Sequence, residues 1–177
     1  DGNMEYWGKG SVPGKILNQF SMDENKGYFR IATTKQEDTP NGVKMSNHLF
    51  VLDQGMKVVG KIENIAPGEK IYSARFLGDR GYLVTFKTVD PLFVLDLKDP
   101  RNPAILGELK IPGYSNYLHP YDENHIIGFG KEAIEVEEPH WSGQGTVKNA
   151  YYLGMKIALF DVSEVSNPIE KFKVEIG

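Results

Sequence analysis

The chain has 177 residues, 40% of them hydrophobic and 25% charged, with no cysteine, which excludes the disordered and collagenous classes, a disulfide-stapled fold and a thiolate metal site. Twenty Lys and Arg against 24 Asp and Glu leave a formal charge of -4 with the bases scattered, so no nucleic-acid partner is expected. No apolar run reaches the roughly 18 residues of a membrane span, and Asp1 to Glu5 offers neither the basic nor the apolar region of a signal peptide.

In chain order, the first predicted element is a short strand near residues 4–9, ahead of a Pro13-Gly14 turn. A first unit, 18–63, has a polar turn at Asp23 to Tyr28, an extended Phe29 to Thr34, an insertion from Lys35 to His48, and the run Leu49-Phe50-Val51-Leu52-Asp53. After Pro67-Gly68 a second unit, 73–110, presents four short segments: Ser73 to Leu77, Tyr82 to Lys87, Leu92 to Asp96 and Ala104 to Lys110. Each is rich in β-branched or aromatic residues and bounded by Gly, Pro or Asp, the signature of strands. After Pro112-Gly113 a third unit, 116–176, repeats the polar turn at Asp122 to His125, carries an insertion from Lys131 to Gly154, and ends its apolar run at Asp161.

The marks recur in one order. The run ending in Asp appears at Asp53, Asp96 and Asp161, steps of 43 and 65 residues, and Pro-Gly appears at steps of 54 and 45. Asn102-Pro103 and Asn167-Pro168 follow their repeat Asp by six and seven residues. Four strands in a repeat of about 45 residues is the arithmetic of a β-propeller blade; leucine-rich repeats are shorter, and helical repeats need long 3.6-residue periodicity. The expected fold is all-β: a propeller fragment of three four-stranded antiparallel blades plus one extra N-terminal strand. Three blades do not close a ring, so two sheet faces are expected to stay open, with a homodimer through them.

Several longer strings carry a resemblance: Leu17 to Glu24 with Phe29 to Thr34, Arg75 to Tyr82 with Val84 to Phe86, Asp90 to Leu92, and Ile111 to Pro120. In these the chain resembles secreted bacterial and archaeal proteins with a C-terminal β-propeller distantly related to WD40 repeats. The resemblance implies an exported or envelope-attached propeller, extracellular or in the cell envelope, with no catalytic residues to carry over.

Strand alternation puts both insertions in the connection between second and third strands, on the face of the Pro-Gly loops. Loops at 35–48, 65–72, 111–116 and 131–154 are therefore the expected binding surface. The candidate binding residues are Glu137, His140, Trp141, Tyr151 and Tyr152 in the second insertion, Arg30 and Arg75 at comparable blade positions facing an inner channel, and Tyr114, Tyr117 and His119 after the last Pro-Gly. Acids mixed with aromatics suit a sugar or a peptide; the alternative is a hairpin extension packed on the next blade. For the arginines the alternative is an inter-blade ion pair with Asp79 or Asp90.

His119, Asp122, Glu123 and His125 are the densest set of metal-ligand types, but the same turn recurs at Asp23 to Asn25 without histidine, which points to local hydrogen bonds. No metal and no cofactor are expected. Asp79, Asp90, Glu69 and Glu138 could serve a hydrolase if they met at the channel, whereas Asp53, Asp96 and Asp161 read as strand-ending turn residues. The sequence thus points to a non-catalytic scaffold for a protein or glycan ligand. Its alternatives are an envelope hydrolase acting on polysaccharide or peptide, and a purely structural assembly module.

Overall fold

The structure is a computed structural model that describes residues 5–6, 8–40, 42–86, 90–139 and 145–177, the side chains of 90 and 148 excepted. A single 3-10 turn, Gln19–Ser21, is capped by the Asn18 side chain, which accepts from Phe20 N at 2.9 Å. Among the described residues, everything after it is strand, turn and short connection. The strands are β1 (Met22–Asn25), β2 (Tyr28–Thr39), β3 (Gly42–Leu52), β4 (Val58–Ile65), β5 (Lys70–Leu77), β6 (Arg80–Phe86), β7 (Asp90–Asp96), β8 (Ala104–Ile111), β9 (Tyr114–Pro120), β10 (His125–Pro139), β11 (Thr146–Asp161) and β12 (Ile169–Ile176).

They form three antiparallel sheets in chain order, β1 to β4, β5 to β8 and β9 to β12. Turn chemistry places the breaks. At each Pro-Gly the glycine has positive φ, 99° at Gly14, 91° at Gly68 and 83° at Gly113, where a proline-fixed first corner needs a residue without Cβ at the second. The repeat aspartates act as read: Asp53 accepts from Lys57 N, Asp96 from Lys98 N, and Asp161 from Ser163 N and Oγ. The Ser163 bonds, reinforced by Lys171, hold the Asp161 carboxyl well below its usual range.

The core explains the apolar runs. The central sheet is covered on both faces: Leu83, Phe93 and Leu95 pack with Ala32, Leu49 and Ile65 of the first sheet, while Tyr82, Leu92 and Val94 pack with Leu118, Ile126 and Phe160 of the third. A strand buried on both faces needs a continuous apolar sequence, which Leu92 to Leu95 supplies.

The leading segment departs from expectation. Glu5, Tyr6 and Gly8 to Gly10 are not in a strand, and Met4 and Trp7 lie outside the described residues. The segment passes over the β3–β4 turn, where a Cβ on Gly10 would meet Met56 O at 2.6 Å, so its backbone packs against a turn and finds no strand to pair with. Among the described residues of this segment, only Lys15 bridges a strand, at Thr34.

His48, on β3, is buried between Asn64 N, which donates to Nδ1 at 3.4 Å, and Ser46 Oγ at 2.9 Å from Nε2. Burial lowers its pKa. Because protonation favours the unfolded chain, stability is complete above about pH 6.5 and falls as pH drops from there toward the folded-state pKa. We expect His48→Gln to flatten that part of the stability profile, measured by urea melts between pH 7.5 and 5; an unchanged slope would show that the ring titrates freely.

Candidate functional site

The two insertions are not loops. Strands β2 and β3 run on as a ribbon paired from Lys35↔Ser46 to Thr39↔Gly42, and β10 and β11 as a longer one paired out to Pro139↔Thr146. The first ribbon is paired without a break over Lys35 to Thr39, and the second, after a bulge between Glu132 and Ala133, out to Pro139, so extension of the hairpin satisfies their backbone groups better than a loop would. Among the described residues no strand pairs with the second ribbon beyond its root, since β9 pairs only with Ile126 to Lys131 and β12 only with Met155 to Asp161. On the first ribbon, Met45 O accepts from Gly68 N at 2.9 Å.

At the root of the second ribbon four rings meet. Tyr114 packs on Tyr72 (centroids 4.8 Å), Phe86 (4.9 Å) and Tyr152 (5.6 Å), the pairs with Tyr72 and Tyr152 being edge-to-face. Two ammonium groups cap the cluster: Lys70 Nζ lies 5.0 Å from the Tyr72 centroid and Lys131 Nζ 5.3 Å from that of Tyr152. Tyr114 is buried, while Tyr152 is 51% exposed. Its neighbour Tyr151, 46% exposed, points the other way across the strand and donates to Glu138, which also accepts from Asn149. These bonds lower the Glu138 pKa and raise that of Tyr151.

A second cluster joins the 3-10 turn ahead of β1 to the first strands of the second and third sheets. The Arg75 guanidinium covers the Phe20 ring at 4.8 Å; Phe20 touches Tyr117 (5.5 Å), and Tyr117 touches Phe129 and His119, both at 6.1 Å. The Tyr117 hydroxyl lies 3.3 Å from His119 Nδ1.

The sequence-predicted residues therefore divide. Tyr114 and Tyr152 meet at the ribbon root, and Arg75, Tyr117 and His119 meet at the inner strands. Glu137 is exposed on the ribbon opposite Lys148 in register, and His140 and Trp141 lie outside the described residues. Arg30 is elsewhere, 2% exposed, with a two-point ion pair to Asp23 and a bond from NH1 to Gly78 O at 2.5 Å. Strand alternation turns it into the packing between first and second sheets. Its carboxylate partner is in its own blade, so the expected pair with Asp79 is replaced by a bond to the neighbouring backbone, and Asp79 pairs with Lys26.

Of the remaining acids, the Asp90 side chain lies outside the described residues, and the other three do not converge. Glu69 precedes β5 and accepts from Thr85, whereas Asp79 follows β5, so the two stand at opposite ends of an eight-residue strand. Glu138 is far out on the ribbon. His125 is engaged by Asp122 at 2.9 Å and His119 by Tyr117, and among the described residues no three His, Cys, Asp or Glu form a metal-binding group.

Sequence reading did not single out Tyr72, Phe86, Phe20 or Lys131. One signal was present: each of the last two Pro-Gly turns is followed within five residues by a tyrosine, Tyr72 and Tyr114. A buried charge group was also missed. Lys156, 4% exposed, lies 2.6 Å from Glu170 and 3.4 Å from Glu132, and donates to Pro112 O at 3.0 Å, tying β11 to the Pro-Gly turn.

A family model described as a beta propeller domain matches residues 1–177. An uncharacterised protein of Methanocaldococcus jannaschii is 45% identical over 169 residues, covering 94% of this chain and 24% of the relative. An uncharacterised protein of Archaeoglobus fulgidus is 46% identical over 168 residues, covering 95% of this chain and 23% of the relative. The chain thus spans about a quarter of the length of these curated relatives. No solved structure matches it.

Proposed function

The chain belongs to the β-propeller domain family, and from that premise we propose that it is a non-catalytic scaffold that binds a protein partner through the face carrying the two ribbons. The single observation behind this reading is the second ribbon: unpaired strand edges beside a half-exposed aromatic root, Tyr152 over Tyr114, Phe86 and Tyr72. An open edge offers main-chain donors and acceptors to an added strand, and tyrosines are favoured anchors in protein interfaces. The same geometry disfavours the glycan ligand. Sugar stacking uses a bare ring face, whereas Lys131 already covers the ring of Tyr152 and the hydroxyl of Tyr151 is held by Glu138. An extracytoplasmic setting, in the envelope or outside the cell, and a distant WD40 relationship belong to the proposal on the strength of the sequence resemblance.

The test is selection of displayed peptides on the immobilised chain, followed by titration of the selected peptides against wild type and the Tyr151→Ala/Tyr152→Ala variant. We expect the variant to lose at least about tenfold in affinity, the loss that truncating interface tyrosines commonly produces. Equal affinity for both proteins would place binding elsewhere, and hits confined to a glycan array would overturn the protein reading.

A further inference from the structure

The three sheets share a feature of register. In each, the pairing of third and fourth strands shifts at a comparable bulge, between Val51 and Leu52, Val94 and Leu95, and Leu159 and Phe160, the first sheet having a further shift between Asn47 and Leu49. The residue just before the shift faces Gly60 in the first sheet, Gly107 in the second and Phe172 in the third. The two glycines have a purpose. A Cβ on Gly60 would lie 2.1 Å from Pro100 O and one on Gly107 2.1 Å from Val165 O. In both places the connection between third and fourth strands of the following blade lays its backbone on the outer strand of the blade before it. Gly10 under Met56 O, at 2.6 Å, repeats the arrangement.

Phe172 breaks the rule. It is 67% exposed, and with Val174 opposite Ile157 and Leu159 it lines a groove of about 320 Å³ floored by Ile127 and Ala158. The matching positions in the other sheets, Leu49 and Val51, Leu92 and Val94, are fully buried between blades, whereas Ile157 and Leu159 are only half-buried. The apolar row that the first two sheets bury is present in the third and is not covered by the described residues.

We propose that this face docks a further four-stranded blade of the same propeller, and that this blade differs from those seen here in keeping its third-to-fourth-strand connection off the outer strand, with the Phe172 ring filling the space the connection takes over Gly60 and Gly107. The face continues the two inter-blade interfaces of this chain, position for position, which identifies the occupant as a sheet. The relatives, of which this chain is about a quarter, contain chain enough for it. The inference rests on the propeller assignment and not on the ribbon face.

Two measurements test it. In this chain, the dye 1-anilinonaphthalene-8-sulfonate should fluoresce several-fold more strongly than with Phe172→Lys/Val174→Lys, two exposed positions whose replacement leaves the far-UV circular dichroism unchanged; equal fluorescence would show that the face is not an open apolar surface. In a crystal structure of the full-length Methanocaldococcus jannaschii relative, the sheet aligned with β9 to β12 should be covered by a further sheet whose connection stays clear of the outer strand. A connection seated there as Pro100 is on Gly60, a cover that is not a sheet, or an open face would each overturn the inference. The first of these results would leave the propeller and its ribbon face intact.

Discussion

Gly107→Ala is expected to destabilise the protein by about 3 kcal/mol, near the top of the range for overpacking, because the added methyl has nowhere to go. Its Cβ would stand 2.1 Å from the Val165 carbonyl oxygen and 3.1 Å from Pro168 Cδ, and relief requires the whole β11–β12 connection to lift off β8. That connection is braced by Asn167 N donating to Glu164 O and by Asp161 accepting from Ser163, so it cannot swing alone. The third sheet would separate from the second, opening the cluster around Leu92, Val94 and Phe160. Urea denaturation of the two proteins measures the difference, and Gly68→Ala, at a turn where nothing lies within 4 Å of the added atom, separates a packing clash from backbone strain at a positive-φ glycine. A Gly107→Ala protein as stable as wild type would mean that the sheets do not touch there.

Lys156→Ala should cost about 3 to 5 kcal/mol, the range for breaking a buried ion pair from one side. The loss comes from what remains: Glu132 and Glu170 would face each other across the vacated site, with Lys173, 3.1 Å from Glu132, the one cation left among the described residues. Pro112 O would also lose its donor. Removing the nearer carboxylate as well, as in Lys156→Met/Glu170→Gln, takes away the charge left without a cation while Glu132 keeps Lys173 at 3.1 Å, and we expect it to recover at least half of the lost stability. A double variant as unstable as the single one would show that Lys156 acts through the Pro112 bond and not through its carboxylates.

The blade pattern was legible in the sequence because its determinants are local. An Asp that caps its own turn, a Pro-Gly pair that sets two consecutive backbone corners, and an apolar run for a strand covered on both faces all act within a few residues. Each therefore leaves a mark at a fixed offset. The candidate site was legible only in part. Tyr114 and Tyr152 touch each other in the ribbon-root cluster, but the cluster is completed by Phe86 and Tyr72, which belong to another sheet. Arg30 looked equivalent to Arg75 by position, yet one pairs with Asp23 in the packing between sheets and the other lies on Phe20. They are not at comparable positions after all: Arg30 is on β2, the second strand of its sheet, and Arg75 on β5, the first strand of the next, so the two side chains meet different neighbours.

The amino-acid sequence by itself determined that this protein is an all-β array of four-stranded units, where each unit turns, and which runs are buried, since period-two strands and turn residues act at short range. Only the tertiary structure decided that the insertions are paired ribbons, that Lys156 is buried among carboxylates, and that Gly60 and Gly107 are seats for a neighbouring backbone while Phe172 is not. Those properties depend on which residues of different sheets come within a few ångströms of each other, and that distance is set by register and packing across the whole fold.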